Sequence, residues 1–126
     1  MKIAISSTGR DLESAIDPRF GRAEFFVLYD TDSKQCEAVE NLAVTSSGGA
    51  GIATAQMMSD KNVEAVVTGN VGPNAMSVLR TAGIKIFRGN ADTVGRNIEN
   101  FNKGVLETIE TTVAPHSGMG GQRGRG

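Results

Sequence analysis

A change from strand-like to helical periodicity part-way along the chain predicts an α/β fold. Residues 2–6 and 24–30 are short apolar runs with the two-residue period of strands, and the second run is apolar on both sides, which is typical of a strand inside a covered sheet. From residue 50 onward, helical and strand-like segments alternate. The predicted element order is βββαβαβα, which gives a five-stranded mixed sheet with helices on both faces.

The first half of the chain divides into three strands and one helix. A polar run at residues 30–34 has the composition of a turn and leads into a weaker strand near residues 35–40, so the first three strands should form a meander. A helix is expected over residues 50–61, capped by one of the preceding serines, Ser46 or Ser47. Its buried side should carry three apolar residues: Ile52, Ala55 and Met58.

The second half alternates strand and helix. A buried strand is predicted at residues 64–68, followed by a helix over residues 73–80 that begins with a proline and that Gly83 terminates. The last strand is expected at residues 84–87, where the outward-pointing Lys85 indicates a sheet edge.

A final helix completes the predicted domain. Asn90 or Asp92 should cap it, and it should end near Gly104. Its core-facing stripe comprises Val94, Ile98 and Phe101. Residues 105–113 carry no clear pattern and could form a short strand or an extended strap.

Length and composition predict one domain. A chain of 126 residues, 39% of them hydrophobic, suits a single core, which we place at residues 1–113. Residues 114–126 are rich in Gly and Arg, so we expect a flexible tail there. No apolar run approaches the ~20 residues of a membrane span and no signal segment is evident, which favours a cytoplasmic protein. A net charge of −1 argues against nucleic acid or membrane as a partner.

The predicted topology gathers several loops at one edge of the sheet. In a meander followed by right-handed crossovers, the first, third, fourth and fifth strands run parallel, so their carboxyl ends share an edge. That edge receives the connections at residues 7–22, 48–49, 69–72 and 88–90. Ligands bind at such edges in open α/β sheets, so we expect the functional site there.

The longest connection contains the run Asp17-Pro18-Arg19-Phe20-Gly21-Arg22. Arginine offers a planar fork of donors suited to oxyanions, proline restricts the backbone, and glycine lets a bulky group approach the main chain. These residues favour an anionic ligand. An equally good interpretation of the six residues alone is a rigid surface turn with the phenylalanine in the core.

Two glycine-rich loops each open a helix, with the sequences Ser47-Gly48-Gly49-Ala50-Gly51 and Gly69-Asn70-Val71-Gly72-Pro73-Asn74. Unpaired N–H groups and the helix dipole favour anions at such positions. Neither loop has a Walker motif or the dinucleotide fingerprint. Taken singly, each is more simply a tight strand-to-helix turn, but two of them beside two arginines favour binding.

Catalytic and metal-binding patterns are sparse. His116, the sole histidine, lies in the predicted tail, and Asp11, Glu13 and Asp17 are interpreted as solvated loop carboxylates that offset nearby arginines rather than as a two-metal nuclease site. The candidate metal ligands, with no zinc-like spacing, are Cys36, His116 and Met119. Any bound metal should therefore bring most of its own ligands.

Four motifs together resemble the dinitrogenase iron–molybdenum cofactor biosynthesis family, which includes NifX-like proteins, the carboxyl-terminal domain of the NifB type and the orange-protein group. They are residues 1–5, 17–23, 48–52 and 69–75, and the resemblance spans about residues 1–104. It implies a ribonuclease-H-like three-layer fold and non-catalytic binding of an anionic metal–sulfur cluster. Members that attach the nitrogenase cofactor use a histidine on the folded domain, which this chain lacks before His116, so the resemblance to the orange-protein type is the more informative.

The resulting hypothesis is a carrier that holds an iron–molybdenum or molybdenum–copper sulfide cluster non-covalently and exchanges it with donor and acceptor proteins. The alternatives are an enzyme acting on a small phosphorylated metabolite at the same edge and an adaptor of a partner ATPase. The expected binding residues are Arg19, Phe20, Gly21, Arg22, Ser47, Gly48, Gly49, Ala50, Gly51, Asn70, Val71, Gly72 and Asn74.

Overall fold

The computed structural model describes residues 1–45 and 49–110, which form five strands and three α-helices in the predicted order βββαβαβα. The strands are β1 (Lys2–Ser7), β2 (Phe25–Asp30), β3 (Cys36–Glu40), β4 (Ala65–Thr68) and β5 (Lys85–Arg88). The helices are α1 (Ala50–Asp60), α2 (Pro73–Thr81) and α3 (Val94–Lys103), and a short 3-10 helix at Leu42–Thr45 precedes α1. The predicted tail, its boundary at residue 114 and both serines expected to cap α1 lie outside the described residues.

The strands form one mixed sheet in the order β3-β2-β1-β4-β5. β2 is antiparallel to both β1 and β3, while β4 is parallel to β1 and to β5. The first, third, fourth and fifth strands therefore run in one direction, as predicted, and their carboxyl ends meet at one edge of the sheet. β5 ends the sheet, which confirms the edge position that the exposed Lys85 indicated.

The three helices cover both faces of the sheet and bury two separate apolar clusters. α1 and α2 pack on one face, where Phe26 and Leu28 of β2 meet them, and α3 packs on the other face against Val27 and Tyr29. This alternation explains why β2 is apolar on both sides. Burial of each such side chain favours folding by about 1.5–3 kcal/mol, so the two clusters fix the sheet between its helices.

Two helix starts differ from the prediction. The N-cap of α1 is Gly49, which has a left-handed backbone (φ 71°) and no side-chain cap hydrogen bond. Ile52 is 42% exposed because the buried side of α1 comprises Ala50, Thr54, Ala55 and Met58. The N-cap of α3 is Thr93, whose Oγ1 accepts a hydrogen bond from the Arg96 N–H at 3.1 Å. The predicted caps Asn90 and Asp92 lie in the preceding loop.

The helix ends and the last segment follow from local chemistry. Gly83 and Gly104 both have left-handed backbones at the predicted ends of α2 and α3. Residues 105–110 form an extended strap along β5, in which the Ile109 N–H donates to the Ile86 carbonyl at 2.8 Å. Of the two possibilities left open by the sequence, the strap is correct for this part. Among the described helices, none is long and apolar enough to cross a membrane.

Candidate functional site

A surface pocket of about 210 Å³ lies at the carboxyl end of the parallel strands, where the first turns of α1 and α2 meet. Its lining contains mostly backbone-exposing residues from three loops: Phe20, Gly21, Gly49, Gly51, Ile52, Gly72, Pro73, Asn74 and Ala75. A pocket of about 470 Å³ lies elsewhere, between the edge of β5 and the strap. We place the candidate site in the smaller pocket because two helix N-termini open into it.

The two helix starts supply backbone donors to this pocket. In α1 the first helical hydrogen bond runs from the Ala53 N–H to the carbonyl of the N-cap Gly49. In α2 the corresponding bond runs from the Met76 N–H to the carbonyl of the N-cap Gly72. The N–H groups of residues 50–52 in α1, and those of Asn74 and Ala75 in α2, have no intrahelical partner, while Pro73 carries no N–H. Both helix dipoles are positive at this end. The pocket is therefore suited to an anion.

The third wall is the turn of residues 19–22, closed by a 3.3 Å hydrogen bond from the Arg22 N–H to the Arg19 carbonyl. The loop before α2 holds this turn, since the Phe20 N–H donates to the Asn70 carbonyl at 3.2 Å. The Phe20 side chain is only 1% exposed and packs edge-on against Phe26, with ring centroids 5.5 Å apart. Phe20 is thus a core anchor, as the interpretation of a turn with the phenylalanine in the core expected, and it also lines the pocket. The anionic ligand stays a prediction.

Glycines allow the three walls to touch. A β-carbon added at Gly21 would lie 2.9 Å from the Gly51 Cα, and one added at Gly51 would lie 3.2 Å from the Ala75 Cβ. A β-carbon at Gly69 would lie 2.8 Å from the Pro18 Cα and carbonyl oxygen. The contacts at Gly21 and Gly69 leave no room for a side chain, so these loops approach backbone to backbone, while Gly51 packs against the Ala75 methyl group.

Arg19 is tied to a buried carboxylate. Its Nε and Nη2 atoms donate to Asp17 Oδ1 and Oδ2, each at 3.2 Å, and its backbone N–H donates to the same carboxylate at 2.9 Å. These contacts raise the pKa of the Arg19 guanidinium, chiefly through the hydrogen bond to Asp17. Asp17 is 4% exposed, so the expectation of a solvated carboxylate is wrong for this residue. Its burial requires an ionic partner, and the pairing orients the 64% exposed arginine side chain.

Three further arginines near this edge have different surroundings. Arg10 forms an ion pair with Glu40 at 2.7 Å and stacks over the Phe25 ring. The sequence had suggested the loop carboxylates as its partners. Arg22 is exposed at the end of the turn. Arg88 Nη1 donates to the Gly69 carbonyl at 3.1 Å and so also lies beside the loop before α2.

The structure places six of the thirteen expected binding residues in the lining of the pocket. Phe20, Gly21, Gly49, Gly51, Gly72 and Asn74 line the pocket. Arg19, Arg22, Ala50 and Asn70 neighbour these residues in the chain, whereas the Val71 side chain is buried in the core at 1% exposure. Ser47, Gly48, His116 and Met119 lie outside the described residues. Cys36 begins β3 at the opposite end of the sheet, where its thiol is exposed and partial burial raises its pKa.

Two buried polar residues behind the walls of the pocket were not anticipated. Asn41 directly follows β3 and is 2% exposed, and Thr54 of α1 is fully buried, yet they hydrogen-bond to each other at 3.1 Å. The only sequence signal for Asn41 was its position at the carboxyl end of a predicted strand. Across residues 1–45 and 49–110, no group of three or more His, Cys, Asp and Glu side chains is placed to hold a metal ion.

Comparison with known proteins places this arrangement in a family. The family model described as dinitrogenase iron-molybdenum cofactor matches residues 1–104. An uncharacterised protein of Methanocaldococcus jannaschii is 32% identical over 113 residues, which cover 87% of this chain and 92% of the relative.

Two solved structures are similar in fold and sequence. The apo form of the orange protein from Desulfovibrio gigas has a TM-score of 0.81 at 36% identity, with 86% of this chain and 92% of that chain covered. A Thermotoga protein studied by NMR as a NifB candidate has a TM-score of 0.81 at 39% identity, with 90% and 97% covered. From the family match and these relatives, the chain belongs to the dinitrogenase iron–molybdenum cofactor family.

Proposed function

We propose that this protein binds and carries an anionic metal–sulfur cluster in the pocket between the N-termini of α1 and α2. The observation that carries the proposal is the convergence of two helix N-termini and the Phe20–Gly21 turn on one pocket. Backbone N–H groups and helix dipoles attract a compact anion without supplying metal ligands. A metal sulfide cluster has the matching chemistry, because its sulfides satisfy the metal and its outer surface is anionic.

The family supports the same reading. Its description names the iron–molybdenum cofactor of dinitrogenase, and the orange protein is a similar structure in its apo form. We infer non-covalent holding of an iron–molybdenum or molybdenum–copper sulfide cluster, with Arg19 and Arg22 at the rim and exchange with donor and acceptor proteins or a partner ATPase. The ribonuclease-H-like classification stays an expectation of the same resemblance.

The direct test is titration of the purified protein with tetrathiomolybdate, with and without Cu(I), followed by visible absorption. We expect saturable binding, and we expect Arg19→Ala and Arg22→Ala to weaken it roughly two- to fivefold, the range for solvent-exposed charge contacts. Arg96→Ala is the matched control, since Arg96 is an exposed arginine of α3 whose partner is Glu99 at 3.7 Å. It should bind as the wild type does.

Two results would count against the proposal. One is binding no stronger than that of an unrelated protein of similar charge. The other is tighter saturable binding of glucose 6-phosphate than of tetrathiomolybdate, which would favour the enzyme acting on a phosphorylated metabolite.

A further inference from the structure

The buried side chain of Asn41 joins two walls of the pocket without lining it. Its Nδ2 donates to the Ala23 carbonyl at 2.8 Å and to the Gly21 carbonyl at 3.4 Å, so it holds the end of the turn that forms one wall. Its Oδ1 accepts from the Thr54 hydroxyl of α1 at 3.1 Å, which ties the same residue to the helix that forms another wall.

Asn41 makes two further hydrogen bonds. Its backbone N–H donates to the Glu24 carbonyl at 2.9 Å, and its side-chain Oδ1 accepts a second bond, from the Ala43 N–H at 3.2 Å. Every polar atom of the side chain is therefore engaged inside the protein. A buried amide with this many partners has one stable orientation, because losing any partner leaves a desolvated polar group.

The contacts of Asn41 lie at the close approach between the turn and α1. Gly21 lies so close to α1 that a β-carbon there would be 2.9 Å from the Gly51 Cα. Asn41 reaches Gly21 on one side and Thr54, one helical turn beyond Gly51, on the other. Movement of the turn away from α1 would break these bonds and widen the pocket.

We propose that Asn41, with Thr54, is a positioning residue that fixes the spacing between the Phe20–Gly21 turn and the N-terminus of α1, and thereby the affinity of the pocket for its anion. The proposal deepens the proposed function and rests on it for its binding arm. Its geometric arm, the placement of the turn against α1, is independent of any ligand.

The structure offers a matched control in Asn97. Asn97 is also fully buried, and its amide likewise holds a loop, since its Nδ2 donates to the Asn90 and Thr93 carbonyls at 3.1 and 2.9 Å. Its loop lies on the α3 side and does not line the pocket. Asn97→Ala therefore removes a comparable set of bonds from a comparable site.

The binding test compares Asn41→Ala with Asn97→Ala in the tetrathiomolybdate titration, with thermal melts of both. We expect both variants to lose stability, but only Asn41→Ala to weaken binding, by about tenfold. Equal effects of the two variants on the dissociation constant would overturn the positioning role and leave Asn41 a structural residue.

A second pair keeps the proposal testable if Asn41→Ala does not fold. Thr54→Val removes the hydroxyl at nearly constant volume, and Thr54→Ser retains it. In the NMR spectrum of the unliganded protein, Thr54→Val should shift the amide signals of Gly21 and Gly51, and Thr54→Ser should leave them close to wild type. Unchanged signals in Thr54→Val would refute the geometric arm.

The two arms separate the possible failures. Wild-type protein that does not bind tetrathiomolybdate refutes the proposed function, while the amide signals still decide whether Asn41 and Thr54 place the turn. Normal binding by Thr54→Val together with shifted signals would show that the spacing does not govern affinity, which contradicts the proposal.

Discussion

The connections at the two ends of the sheet are stabilised in different ways. Between β2 and β3, the chain turns within a few residues, and the turn bonds to itself: Asp30 Oδ1 accepts from the N–H groups of Asp32 and Ser33 at 2.8 and 3.2 Å. At the carboxyl end of the parallel strands, loops from distant parts of the chain rest on one another through glycine contacts such as Gly69 on Pro18.

The difference shows where a binding pocket can form. A turn that satisfies its own backbone leaves no donors for a ligand. Loops that lead into helices leave first-turn N–H groups unpaired within the helix, and close contacts between loops bring two such helix starts to one pocket. The same contacts make the second end sensitive to single β-carbons.

The largest effect should come from Gly69→Ala. Its β-carbon would lie 2.8 Å from two backbone atoms of Pro18, so a loop must shift, and we expect a loss of about 3 kcal/mol in the free energy of unfolding. Gly72→Ala in the same loop meets no atom within 4 Å and should lose at most about 1 kcal/mol. Denaturant unfolding measures both, and equal losses would show that the contact with Pro18 is not what holds this end.

Gly49→Ala should be next in size. Gly49 has φ 71° at the start of α1, and a non-glycine residue there costs about 1–2 kcal/mol. Gly104→Ala is the matched control, because Gly104 has φ 72° and open space but lies at the end of α3. Both variants should lose similar stability in thermal melts, and only Gly49→Ala should weaken tetrathiomolybdate binding. Weaker tetrathiomolybdate binding by Gly104→Ala as well would indicate that the loss of stability alone lowers the affinity.

Gly72→Val should separate binding from folding. Gly72 has an extended backbone (φ −72°) that any residue adopts, so the variant should lose at most about 1 kcal/mol in the free energy of unfolding. The added side chain would stand at the lining of the pocket, and we expect at least about tenfold weaker binding, equal to about 1.4 kcal/mol. Wild-type affinity in this variant would place the ligand away from α2.

The smallest effect should come from Asp30→Ala at the self-contained end. The N–H groups of Asp32 and Ser33 lower the pKa of the Asp30 carboxyl below its ordinary 3.8. Because the folded-state pKa is the lower one, the carboxylate contributes stability above the unfolded-state value, and this contribution is lost as the pH falls through the folded-state value.

Thermal melts between neutral and acid pH test this expectation. The difference in melting temperature between wild type and Asp30→Ala should be small at neutral pH and should shrink on acidification, while the binding of tetrathiomolybdate at neutral pH is unchanged. A difference that stays constant with pH would mean that the carboxylate charge does not stabilise the turn.

The sequence by itself determined the element order, the strand directions and the end of the sheet where the loops gather. The element order depends on local patterns: the two-residue period of β1 and β2, the helical stripe of α3, and the glycines that end α2 and α3. The strand directions follow from that order through the right-handed crossover rule. The resemblance over residues 1–104 likewise came from contiguous motifs, and the family match confirmed it.

The tertiary structure alone decided which polar groups are buried and what they hold. The sequence predicts a solvated loop carboxylate at Asp17, but the structure buries the residue beside β1, where the Ser6 hydroxyl donates to the Asp17 carbonyl at 2.5 Å. Asn41 and Thr54 are 13 residues apart and show no shared pattern. Burial and partnership of such side chains depend on contacts between distant segments, which local periodicity does not encode.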